Sequence, residues 1–315
     1  MLRSDGVLAA KAPPPFRNRL LLITESLGRP AGSDAPSLTY QARQVATSLP
    51  LRVTLARDTG GRESARALEE KELVEQIQLI QGEVRHSCGS ARMREELLRR
   101  GRHVGKKRVA RIMKENALGP QPKKRFVPTT RSEKGQEVAE NLLDSNFGAS
   151  ATNRVWVSDI TCVATTKGWM YLCIVLDLHS RRVVGWSLSS ALGAELVLAA
   201  VSMAVTRRRP PGGLMFHSDQ GVQYTNGQFQ EIAKGHGFLQ SMSRMGDCWD
   251  NACAETFFKT LRAELIRERT YRSREEAREE ISKYVEVFYN RKRLHSYLGY
   301  LTPTEYEELE ERKTA

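Results

Sequence analysis

Three carboxylates in this chain stand where a carboxylate needs a chemical reason. Asp159 lies in the middle of the apolar run "VWVSDIT", Asp219 follows the short run "LMFHS", and Glu255 is set among Ala, Cys and Phe in "NACAETFFKTL". A carboxylate inside an apolar strand is costly unless it is paired, hydrogen-bonded or bound to metal. The end of a strand that opens into a glycine-containing loop, as in "FHSDQG", is where sites gather in α/β sheets. If the first and fourth strands are neighbours, Asp159 and Asp219 lie side by side, and their charges repel unless a cation bridges them. Three carboxylates suit two hard cations, because Mg²⁺ takes oxygen ligands and leaves positions for water and phosphate. Two such ions about 3.5 to 4 Å apart stabilise both the attacking and the leaving oxygen of an in-line phosphoryl transfer. Each residue alone also fits an ordinary role, as a satisfied core carboxylate, a turn residue or a surface charge, and short motifs often match by chance.

On a helix, Glu255 shares one face with Asn251, Lys259 and Arg262, at spacings of four, four and seven residues. That face is polar and basic and suits a phosphate backbone, whereas Phe257, Phe258 and Leu261 point toward a core. His217, Asn251 and Lys259 flank the carboxylates, where they would position water or phosphate or merely support the site.

The elements that must carry these residues read as a mixed α/β core. "VWVSDITCV", "WMYLCIVLDL" and "RRVVGWSLS" are β-rich runs with short connections, an antiparallel meander. A helix over "GAELVLAAVSMAVTRR" follows, then the strand "LMFHS", a helix over "NGQFQEIAKGHG", the strand "LQSMS" and the helix bearing Glu255. The tail "SREEAREEISKYVEVFYN" is a charged amphipathic helix. Upstream, Leu68, Leu73, Ile77 and Ile80 recur at roughly helical spacing. Next come "ARMREELLRRG" and "RHVGKKRVARIMKENALG", two short helices joined by a glycine-containing turn. The second bears Lys106, Lys107, Arg108 and Arg111, with Val109, Ile112 and Met113 facing the core. From this segment alone a DNA-binding helix-turn-helix and a plain basic helical hairpin are equally good readings.

Composition narrows the partners. Lys and Arg number 49 against 37 Asp and Glu, a formal charge of +12. Residues 85–135 hold sixteen of the bases and four of the acids. The overall excess suggests a polyanionic partner, nucleic acid ahead of a membrane surface, whereas for the block by itself a solvated basic face is the better reading. Five cysteines without a C-x-x-C pair or zinc spacing fit a reduced cytoplasmic chain without structural zinc. No apolar run is long enough to cross a bilayer, and no secretory leader is evident. Residues 1–64 hold no persistent period. One expectation is that part of this segment arises from an early start codon or a shifted frame, which intact-mass analysis finding residue 1 present and protected from proteolysis would exclude.

Taken in order, "VWVSDIT", "GWMYLCIVLDLHSRRVVGWSLS", "LMFHSDQGVQYTN", "SMSRMGDCWDNACAETFFKTLRAEL" and "YNRKRLHSYLGYLTPTEY" resemble the DDE integrase core of bacterial insertion-sequence transposases. The match is to the OrfB type of two-reading-frame elements, related to retroviral integrase. Thirty-five residues separate Asp219 from Glu255, as in that family's pattern. The resemblance spans about residues 70 to 310 and favours DNA binding for the upstream helices. It implies an α/β, ribonuclease H-like catalytic core at 151–268 with a helical extension at 269–315. Before it would come an irregular segment at 1–64, a helix-turn-helix domain at 65–119 and a basic linker at 120–150. It also implies Asp159, Asp219 and Glu255 as ligands of two Mg²⁺ ions, with Mn²⁺ as substitute, and cleavage of double-stranded DNA at element ends with transfer to a target. A homo-oligomer assembled on DNA, a partner from an upstream frame and a nucleoid-associated cytoplasmic location follow from the same resemblance. The alternatives are a catalytically silent DNA-binding regulator and a structure-specific nuclease. Two departures stand out: Cys88 replaces the usual aromatic residue, and residues 1–64 do not look like the family's approach to its helix-turn-helix.

Overall fold

β-branched and aromatic residues dominate three successive segments, and each becomes a strand: β1 (Val155–Thr165), β2 (Gly168–Asp177) and β3 (Val183–Ser189). The computed structural model describes residues 64–120, 139–144, 146–244, 251–267 and 269–314. Residues 1–63, for which no domain was expected, and Cys248 lie outside the described residues. β1 pairs antiparallel with β2 from Trp156 opposite Asp177 to Thr165 opposite Gly168, and β2 pairs antiparallel with β3. After α4 (Ala194–Arg208), β4 (Met215–Ser218) returns to the other edge of β1 and runs parallel to it. The short helices α5 (Val222–Thr225) and α6 (Gly227–Gly235) lead to β5 (Leu239–Met242), parallel to β4. The sheet order is β3-β2-β1-β4-β5, the mixed ribonuclease H-like arrangement that the sequence leads one to expect. Only the single turn of α5 goes unanticipated among these elements.

Alternation along the strands sends side chains to two apolar clusters. Trp156, Cys173, Val175, Val184 and Phe216 meet α4 and α6 on one face. Val157, Val163, Leu172 and Ile174 on the other face meet α7 (Ala252–Leu261) through Phe257, Phe258 and Leu261. This second cluster continues into the C-terminal helices and into the upstream helices α1 (Ala65–Glu83), α2 (Ser90–Arg99) and α3 (Lys106–Glu115). Within it, Leu73, Ile77 and Ile80 are buried, but Leu68, expected on the same face, is 48% exposed. Buried Gln81 ties the helices together by donating to the carbonyls of Cys88 and Leu118 at 2.8 and 2.6 Å. Cys88 is buried in this cluster, and its burial pushes the thiol up to about 11. Among the described residues no helix is long and apolar enough to cross a membrane.

Two departures from α-helix are new. α7 widens into a π turn over Arg262–Ile266, and α8 (Arg274–Ser282) widens over Lys283–Tyr289 before the chain closes in α9 (Pro303–Thr314). Helical periodicity, which predicts continuous helices here, does not register one extra residue per turn.

α4 approaches β3 closely because Gly185 faces Ala200 and Ala204 without a side chain. A Cβ at Gly185 would overlap the Ala200 carbonyl oxygen and stand 2.8 Å from the Ala204 Cβ. Overpacking of this kind costs about 1 to 3 kcal/mol. Gly185→Ala should therefore lower Tm by about 2 to 10 °C. Gly82→Ala, in open helical space, should leave Tm unchanged or raise it. Thermal denaturation followed by circular dichroism measures both, and equal effects would refute the packing argument.

Candidate active site

β1 carries Asp159 on the face that α7 covers, two residues from Val157 and two from Thr161. The parallel register sets Val157 opposite His217. Continued by two residues, that register brings Asp219, just past the end of β4, beside Asp159. Gly221 N–H donates to Asp219 Oδ1 at 3.1 Å, and Ile160 N–H donates to Asp159 Oδ1 at 2.7 Å. Gly221 matters because a Cβ there would lie 3.0 Å from Asp219 Oδ1 and 2.9 Å from Gln223 Oε1, so the loop closes tightly on the carboxylate.

Glu255 projects from the first turn of α7, whose aromatic residues fix it to the sheet. Phe257 packs edge-on against Tyr289 with centroids 4.8 Å apart and against Phe258 at 5.5 Å. Lys259 Nζ lies 2.8 Å from Glu255 Oε2, so the carboxylate is turned along its own helix. Among the described residues no three His, Cys, Asp or Glu side chains stand close enough together to hold a metal ion. The three acids therefore converge electrostatically without forming one coordination shell.

That convergence is visible in Asp159. Burial, then the charge of Asp219 and more weakly that of Glu255, push its carboxyl up to about 8, against the opposing Ile160 N–H and Arg262. Burial also raises Asp219, opposed by the Gly221 N–H. Burial raises the carboxyl of Asp177, at the end of β2, as well, but its partners differ. It accepts from Asn153 N, His179 N, Ser180 N and Ser180 Oγ at 2.6 to 3.1 Å. Asp177 is satisfied by protein donors, whereas Asp159 and Asp219 face each other with one N–H apiece among the described residues. An all-oxygen anionic donor set of this kind fits a hard divalent cation such as Mg²⁺ or Mn²⁺.

The neighbouring residues divide. Arg262 reaches β1, where Nη2 donates to Thr161 Oγ1 at 2.5 Å, and its charge acts on both Asp159 and Glu255. Asn251 is only 6% exposed and donates from Nδ2 to the Ser158 carbonyl at 3.0 Å, so it faces the sheet instead of the polar face expected for it. It is the N-cap residue of α7, outside the helical phase that the spacing assumes.

His217 is fully buried, with Nδ1 2.9 Å from Ser241 Oγ and Nε2 3.1 Å from Ser243 Oγ. Ser241 Oγ already accepts from Leu142 N and Leu143 N. Its own proton must therefore go to Nδ1, which leaves Nε2 protonated and donating to Ser243. His217 thus joins β4, β5 and residues 139–144.

Sequence reasoning missed Ser158 and Tyr224, whose hydroxyls meet 2.8 Å apart beneath Asp159. The only signal was a polar residue beside Asp159 in an apolar strand. On α3, Lys106 and Lys107 are exposed. Arg108 is bound to Glu69 at 2.9 Å, and Arg111 to Glu70 at 2.8 Å and Glu115 at 2.7 Å.

Comparison with known proteins gives this arrangement a family. Residues 149–248 and 236–303 each match a model described as integrase core domain, and residues 67–126 match one described as HTH-like domain. A 31 kDa protein of insertion element IS600 from Shigella sonnei is 38% identical over 245 residues, 78% of this chain and 90% of that one. Transposase InsF for insertion sequence IS3A from Escherichia coli strain K12 is 40% identical over 219 residues, 70% of this chain and 76% of the relative. The HTLV-2 integrase catalytic core domain, solved in complex with magnesium, overlaps at 16% identity and a TM-score of 0.38, over 50% of this chain and 98% of that one. At these identities over most of both relatives' length, the chain belongs to the integrase-core transposases of bacterial insertion sequences.

Proposed function

We propose that this transposase cleaves DNA at the ends of its insertion element and joins them to target DNA, with Asp159, Asp219 and Glu255 as the acids that hold its divalent cations. Cleavage and strand transfer are the general activity of the family. The observation that carries the residue assignment is the register of two parallel strands, which sets Asp219 beside Asp159 under a helix bearing Glu255. Bound Mg²⁺ or Mn²⁺ would activate the attacking oxygen and stabilise the leaving one in an in-line transfer.

The protein's own residues supply the rest. Asp159 and Asp219 are held by strand and loop backbone, so their separation is preset. Glu255 must leave Lys259 to join them, and an exposed pair four residues apart on a helix is worth only about 0.3 to 0.5 kcal/mol. Once released, Lys259 and Arg262 present positive charge beside the carboxylates, where the scissile phosphate would lie. Lys106 and Lys107, exposed at the start of α3, are the cations we assign to duplex DNA, with Arg108 and Arg111 joining when their glutamate partners are exchanged for phosphate.

Asp219→Asn should lower Mg²⁺-dependent strand transfer from a pre-nicked end by about 10³-fold, in line with the several kcal/mol a metal ion supplies, with binding to the DNA end unchanged. Retained strand transfer would remove Asp219 from the site.

A second expectation concerns metal-free protein. Asp159 titrates near 8 when folded and near 3.9 unfolded. The folded state therefore binds this proton more tightly, and the group costs stability progressively as pH rises from about 4 to 8. In EDTA, Asp159→Asn should be increasingly more stable than the parent across that interval. Parallel Tm-versus-pH curves would contradict the buried carboxylate pair.

Replacing both Lys106 and Lys107 by Ala should weaken binding to all duplex sequences alike and reduce the slope of log K against log salt by about 2. An unchanged slope would take α3 off the phosphate backbone.

A further inference from the structure

The π turn that follows α7 carries a buried acid that the catalytic proposal does not use. Glu264 is 7% exposed and is the meeting point of three parts of the chain. Arg293 Nε donates to both of its oxygens at 3.0 Å, and Tyr284 Oη donates to Oε2 at 2.8 Å. Both partners come from the C-terminal extension. Arg92, from α2 of the upstream helices, places Nη1 3.8 Å from Oε1. The contact is reinforced nearby, since Arg267 donates to the Arg85 carbonyl at 3.1 Å and the Arg85 guanidinium lies over the Tyr284 and Phe288 rings.

Glu264 lies two residues beyond Arg262, and the π turn itself starts at Arg262. One extra residue in a turn changes the direction of every side chain after it, and such turns concentrate at functional sites. Here the widened turn lets Arg262 face Thr161 of β1 while Glu264 faces Arg293. Buried ion pairs add little net stability but penalise any geometry that separates them, because the partner is then left as an uncompensated buried charge. The Glu264 cluster thus selects the π turn over a continuous α-helix. It also touches the middle of α7, since Tyr289, packed on Phe257, lies under the Arg293 guanidinium.

We infer that Glu264 is a positioning residue that couples the upstream DNA-binding helices and the C-terminal extension to α7, and so sets the aim of Glu255 and Arg262 over Asp159 and Asp219. This rests on the proposed assignment of those acids.

The test uses the full chain. Glu264→Gln should keep its fold by circular dichroism and its affinity for a DNA end within about threefold of the parent. The rate of strand transfer at saturating DNA should fall, and the Mg²⁺ concentration for half-maximal rate should rise, each by about 10- to 100-fold, as for outer residues that orient metal ligands. Because the single change leaves Arg293 uncompensated, the double variant Glu264→Leu with Arg293→Met is the stability control. It should regain the parent Tm without regaining the parent rate. A rate that returns with Tm, or a Glu264→Gln rate that falls only with the folded fraction, would overturn the positioning role. Asp219→Asn separates the two layers. A silent Asp219→Asn beside an unimpaired Glu264→Gln overturns the inference about Glu264 alone, whereas an active Asp219→Asn overturns the site assignment beneath it.

Discussion

Two carboxylates forced together on adjacent parallel strands are the constraint around which this molecule is built. Asp159 and Asp219 come side by side because β4 crosses back to pair with β1, and that crossing needs α4 to pack on the meander. Gly185 permits that packing by leaving space for Ala200 and Ala204. Burial, and then the repulsion between the two acids, raises the free energy of the metal-free state, as the elevated Asp159 carboxyl records. An aromatic cluster of Trp156, Phe216, Tyr224, Phe229 and Phe238 packs beneath the strands.

The third acid is held differently, and the difference has a physical basis. Asp159 and Asp219 are placed by backbone pairing, which leaves little freedom. Glu255 is placed by a helix whose phase depends on what lies at its ends: Asn251 bound to the Ser158 carbonyl at one end, and the π turn with Glu264 at the other. A preset pair with an adjustable third acid allows the site to respond to its surroundings.

Much of this was legible in the sequence because it is local. β-rich runs with short connections marked β1 to β3, an acid in an apolar strand marked Asp159, and helical spacing separated Phe257, Phe258 and Leu261 from Glu255 and Lys259. What stayed hidden depends on partners far away in the chain. Glu264 reads as one more charge in "RAEL" until Arg293 and Tyr284 are brought to it. Asn251 has the right spacing for the polar face but sits at the N-cap, where the backbone has left helical phase. His217, two residues before Asp219, reads in the sequence as a residue that positions water or phosphate or merely supports the site. Its partner Ser241 lies on β5 and Ser243 just past its end, and strand pairing cannot be read from one strand's own pattern.

The distribution of charge adds a last point about how such a protein meets DNA. A formal +12 suggests a bare cationic surface, yet many of its cations are already engaged with acids of the same chain. Arg111 holds Glu70 and Glu115, Arg108 holds Glu69, and Lys259 holds Glu255. Exposed pairs of this kind contribute about 0 to 1 kcal/mol each and weaken with salt. Exchanging a glutamate for a phosphate therefore costs little at any one position, and each released acid becomes available. On α3 the freed glutamates go to solvent. On α7 the paired acid is Glu255, so under the proposed function an exchange of Glu255 for phosphate at Lys259 would also release the carboxylate toward Asp159 and Asp219. The same weak interaction that keeps the DNA-free surface internally satisfied would then link DNA arrival to completion of the acidic site.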